Sequence, residues 1–176
     1  MKQNKKVLFI TQAAAIAALY VVLTLLANAL GLANYAIQVR FSEALTILPF
    51  FTPAAIPGLF IGCILANYLG NCLFLDIVFG SIATLLGAIG TYLISKRCKP
   101  KDPKKTVPHE ICCTFPPIIA NVLIIPFILA YVYKFEGGVP FFMLTVGIGE
   151  VISCGIFGFL LLQVLKKYRR HLFPEN

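Results

Sequence analysis

Val39-Arg40-Phe41-Ser42-Glu43-Ala44-Leu45-Thr46-Ile47-Leu48-Pro49-Phe50-Phe51-Thr52-Pro53-Ala54-Ala55-Ile56-Pro57-Gly58 is the stretch whose reading decides the fold. An arginine and a glutamate head an apolar run that is then broken at Pro49, Pro53 and Pro57. Charge beside hydrocarbon is expensive, so a pair entering such a run needs a structural or functional reason. Proline removes a backbone donor and clashes with the preceding carbonyls, so residues 52–58 cannot be the interior of one helix. The apolar text from 44 to 75 therefore reads as two helices, a short one over about 42–54 and a second over about 57–71. Short or proline-broken spans tend to line cavities, because lipid cannot satisfy exposed backbone groups.

The rest of the chain has the same character. Of its 176 residues 59% are hydrophobic and 12% charged, where a soluble domain carries about 25% charged. The mean hydropathy is +0.88. Apolar text covers about 7–33, 44–75, 77–95, 111–133 and 139–165, and runs of this length are membrane-spanning in kind. The first run is too long for the apolar core of a signal peptide.

The net charge of +8 is concentrated. Lys2, Lys5 and Lys6 form one basic block, residues 96–105 a second, and Lys166 to Arg170 a third. Short basic blocks beside spans mark the cytoplasmic side, so an even number of crossings must separate neighbouring blocks. Four fit between Lys6 and Lys96. The resulting expectation is a single all-α, polytopic membrane domain over 1–176 with six spans, at about 7–30, 42–54, 57–71, 76–95, 112–133 and 140–165. Both termini and the loop 96–110 would be cytoplasmic. The basic blocks suit anionic headgroups, and no soluble module remains to bind nucleic acid.

Glu150 is the deepest charge expected, about 15 Å into the last span. It follows Gly147 and Gly149, and a carboxylate at such depth marks a functional site or a group satisfied by a neighbour such as Asn121. Arg40 and Glu43 can pair on one helix face, with Ser42 as cap and Glu43 beside the positive helix end. The same geometry aims a carboxylate at the outer mouth. Asp76 opens the fourth span, where N-capping is the competing reading. Lys134 and Glu136 read as a solvated loop pair. Tyr35, Phe41, Phe50, Phe51, Tyr68, Phe74, Phe141 and Phe142 gather near the same mouth, as stacking platforms or as ordinary packing.

Small residues recur every four positions at Gly58, Gly62, Ala66 and Gly70, and in span 1 at Ala13/Ala17 and Ala14/Ala18. Such stripes let helices approach closely. The six cysteines and two histidines lack metal-site or disulfide spacing, so no metal and no cofactor is expected. There is no phosphate-binding loop, no H-E-x-x-H and no G-x-S-x-G, which argues against an enzyme.

The stretch 39–58, with Leu75-Asp76-Ile77-Val78-Phe79-Gly80-Ser81, resembles the queuosine-precursor transporter (QueT) family. These are substrate-binding (S) components of energy-coupling-factor (ECF) transporters. The resemblance covers essentially the whole chain and is densest at 39–62 and 75–91. It implies a multi-pass bacterial plasma-membrane protein that captures a 7-deazaguanine, such as queuine or its aminomethyl precursor, from outside. It also implies a transmembrane coupling subunit and two ATPase subunits as partners, docked through an alanine pair on helix 1. Ala13 with Ala17 and Ala14 with Ala18 both match. A guanine-like edge presents adjacent N–H donors that a carboxylate accepts, and an amine wants a second carboxylate. On this resemblance Glu150 or Glu43 would read the guanine edge and Asp76 would offset the amine, with Asn67, Asn71 and Asn121 available for the carbonyl edge and Arg40 and Phe41 as neighbours. The competing reading is a stand-alone proton- or ion-coupled carrier for a small heterocycle, with Glu150 as its proton site.

Overall fold

The computed structural model describes residues 5–32, 39–97 and 106–172. Lys2, Tyr35, Cys98 and the centre of the basic loop lie outside the described residues. Every regular element among the described residues is helical. Helix α1 spans Lys5–Ala29, a 3-10 helix spans Phe41–Phe50, and α2 and α3 span Ala55–Leu69 and Phe74–Arg97. Then come α4 (Thr106–Cys112), α5 (Phe115–Phe127), α6 (Val139–Glu150) and α7 (Gly158–Leu172).

Two of these helices continue through wide π-turns. Ile128–Val132 prolongs α5, and Val151–Phe157 joins α6 to α7. Among the described residues four stretches are long and apolar enough to cross a membrane: Lys5–Ala29, Phe74–Arg97, Thr106–Val132 and Val139–Tyr168. The expected loop 96–110 is shorter than its composition suggested, because α3 runs through Arg97 and helix resumes at Thr106.

The chain breaks at residues 51–54, around Pro53, whereas Pro57 lies in the first turn of α2, where its missing N–H costs no helical hydrogen bond. What differs is the short element itself. It is a 3-10 helix rather than an α-helix, it ends at Phe50, and Ser42 through Pro49 are all buried. At about 2.0 Å of rise per residue it reaches about 20 Å, where an α-helix of that length would reach about 15 Å. Pro49 near its end has no N–H to give and leaves a gap in the helical ladder. The element runs through the middle of the bundle, touching α1, α3, α7 and the Val151–Phe157 turn.

Close helix contacts come from glycine. A Cβ on Gly58 would lie 2.7 Å from the Ala13 carbonyl oxygen, and one on Gly62 would lie 2.8 Å from Tyr20 Cβ. The α2 stripe thus seats α1, and Ala13 and Ala17 are the residues it meets. Likewise Gly87 and Gly90 of α3 receive Pro117 and Pro116 at the head of α5, each with a would-be Cβ 2.6 Å from proline carbon. The core between these helices is built on Tyr20, Ile47, Phe51, Leu59 and Leu162.

Candidate functional site

The head of the 3-10 helix is held from three sides. Thr24 of α1 donates to Ser42 Oγ at 2.8 Å, so Ser42 is tied to α1 and does not cap the helix. Arg40 occupies the N-cap position without a side-chain cap bond, and its backbone N–H donates to Ser153 Oγ at 3.2 Å. Among the described residues Arg40 and Glu43 form no ion pair within 4 Å. Capping by Ser42 and pairing of Arg40 with Glu43 would have explained these residues structurally, and neither occurs.

Glu43 is 2% exposed. The Tyr20 hydroxyl donates to its Oε1, whereas its Oε2 is buried with no partner. Leaving a buried acceptor unmatched costs about 1–3 kcal/mol, and more for a charged one. Glu150 is brought to the same place by the end of α6, where the helix widens into the π-turn. Turns of this kind often accompany functional sites. Here the turn carries Ser153 and Cys154, both buried, toward the 3-10 helix. Cys154 Sγ donates to Glu150 Oε2 at 3.1 Å and lies 3.4 Å from the Glu43 carbonyl oxygen.

The two carboxylates face one cavity, whose polar lining is Arg40, Glu43, Thr84, Asn121 and Glu150. Gly80, Ile125 and Val146 supply its apolar walls. About 390 Å³ of space there is free of protein atoms, counting what is continuous with solvent, but only about 20 Å³ admits the centre of a water molecule. Ligand atoms of Glu43, Glu150 and Cys154 lie within 4.8 Å of one another, close enough to ligate a cation. The thiol hydrogen is already committed to Glu150, and the Arg40 guanidinium shares the cavity. The arrangement suits an organic N–H donor better than a metal ion.

Of the residues singled out in the sequence, the structure brings Arg40, Glu43, Asn121 and Glu150 together. Glu43 is therefore not a shallow counterpart of Glu150 but its neighbour. Asp76 and Asn67 are not among the residues lining the cavity but lie beside Gly80. A Cβ there would lie 3.2 Å from Asn67 Nδ2 and 3.5 Å from Asp76 Oδ1. Asp76 Oδ2 accepts from the Tyr133 hydroxyl at 2.8 Å. Asn71 is exposed and adopts φ 56° in the turn after α2, a conformation that asparagine tolerates. Phe41 packs on Phe157 at 6.0 Å.

Of the clustered aromatics among the described residues, Phe51 and Phe142 are core, Tyr68 and Phe74 are exposed, and none lines the cavity. Ala13 and Ala17 face α2, which leaves Ala14 and Ala18 exposed. Sequence reasoning missed Tyr20, Thr84 and Cys154. A lone tyrosine within an apolar span was the available signal for the first, while Thr84 and Cys154 read as ordinary small filler.

An all-helical apolar chain with a narrow cavity between its helices, lined by buried charged groups, is the build of a membrane protein that handles a small polar molecule. A family model described as "QueT transporter" matches residues 10–167, and the chain belongs to that family of transporters. It is 35% identical over 86 residues to the queuosine precursor transporter QueT of Lactococcus lactis subsp. cremoris strain MG1363. That alignment covers 49% of this chain and spans about half the length of the relative. No solved structure matches.

Proposed function

We propose that the chain is the substrate-capture component of an ECF-type importer in a bacterial plasma membrane, binding a 7-deazaguanine from outside. Glu43 Oε2 carries the reading: a buried carboxylate oxygen lacks a donor and lines a cavity. The N–H edge of a guanine-like ring supplies that donor. Asn121 serves the carbonyl edge, and Ile125 and Val146 cover the faces of the ring. With six crossings and both termini inside, the cavity would open to the outer side.

Docking of the coupling subunit is assigned to Ala14 and Ala18, since Ala13 and Ala17 are occupied by α2. The Glu43–Glu150 pair also favours a second reading, a proton-coupled carrier working alone. Uptake that stops when the ATPase subunits are removed supports the first. Uptake that collapses with a protonophore at constant ATP supports the second.

Titration of the purified protein with a 7-deazaguanine tests the site. Glu43→Gln is expected to weaken binding at least about tenfold, or about 1.4 kcal/mol. Normal binding by both Glu43→Gln and Glu150→Gln would reject this site. Release of a flavin or thiamine from denatured protein, seen by mass spectrometry, would reject the ligand class.

A further inference from the structure

Acidic groups outnumber basic ones around the cavity. Two carboxylates, Glu43 and Glu150, line it against one guanidinium, Arg40. Asp76, beside Gly80 but not one of the lining residues, also acts on Arg40. The lining itself holds two carboxyl groups against one guanidinium. Tyr20 and Cys154 each give one hydrogen bond to this pair without adding positive charge. Burying a second carboxylate without a counter-charge is costly. The unpartnered Glu43 oxygen shows that the protein does not complete the set itself.

We propose that the cavity selects for a positive charge on the ligand, with Glu150 as the residue that discriminates an amine-bearing heterocycle from the same ring with an uncharged arm. The inference rests on the 7-deazaguanine reading and adds to it which side arms are accepted. Asp76 would be the other candidate for the amine, but its Oδ2 is taken by Tyr133 and it is not among the lining residues. Glu150 lines the cavity, held by Cys154 through one oxygen only.

Two probes differ almost solely in charge. In 7-aminomethyl-7-deazaguanine and 7-cyano-7-deazaguanine a nitrogen sits one carbon beyond the ring, protonated in the first and neutral in the second. Calorimetric titration of the purified full-length protein should find the amine bound at least about tenfold more tightly. Glu150→Gln should reduce that preference to less than about threefold. In the wild type the preference should also fall as rising pH removes the proton from the amine, a measurement that does not depend on the variant folding. Equal affinities in the wild type would overturn charge selection and leave the deazaguanine reading intact. A preference kept in folded Glu150→Gln would overturn the assignment to Glu150. No binding of either probe to folded protein would reject the reading and this inference together.

Discussion

Glu110 shows how a single carboxylate is buried when it is structural rather than functional. It is 1% exposed and both of its oxygens are matched, by Gln163 Nε2 at 2.8 Å and Lys166 Nζ at 2.6 Å. Glu43, equally buried, has one oxygen matched and one not. The contrast predicts an ordering. Lys166→Met leaves Glu110 charged without its cation and should cost about 3 kcal/mol. Glu110→Gln leaves a lysine that is 38% exposed and can rehydrate, so it should cost about 1 kcal/mol. Unfolding of both variants in detergent checks this, and the reverse order would remove the argument. In the sequence Glu110 was only the edge of a basic loop, since nothing local discloses a partner more than fifty residues away. Glu150 was legible because a carboxylate deep in apolar text is anomalous by itself.

At the scale of elements, the helix borders were written in the prolines and the helix contacts in the glycines. Proline acts on its own backbone, so Pro53 and Pro57 could be read without knowing any neighbour. The 3-10 geometry of Phe41–Phe50 could not, because it follows from being enclosed on all sides. The glycine stripe on α2 was visible, whereas the choice of Ala13 and Ala17 over Ala14 and Ala18 depended on how α1 is rotated. Gly62→Ala should cost about 1–3 kcal/mol, since the new methyl meets Tyr20 Cβ at 2.8 Å and Ala17 backbone at 3.1 Å. It should also weaken ligand binding by displacing Tyr20 from Glu43. Gly147→Ala, whose nearest neighbour would be 3.6 Å away, should be neutral or slightly stabilising. Thermal unfolding and titration of the two variants side by side test the pair.

For the whole molecule, the cavity's chemistry and its dimensions were legible to different degrees. Its acids and Asn121 stood out in the text, but its closeness did not, because that depends on how Ile125 and Val146 meet Gly80 across three helices. The bicyclic solute proposed above could not enter or leave a space that barely admits water unless the walls part. Capture and release are then timed by the opening of the bundle and not by diffusion. Association should be slower than the roughly 10⁵–10⁷ M⁻¹s⁻¹ typical of docking onto a preformed surface. Val146→Ala, which trims one wall, should accelerate entry and exit together while shifting the equilibrium constant less than either rate. Stopped-flow measurements on the wild type and this variant would show it. Residence time thus becomes a property of aliphatic residues that make no polar contact at all, and the carboxylates proposed to choose the solute do not decide how long it stays.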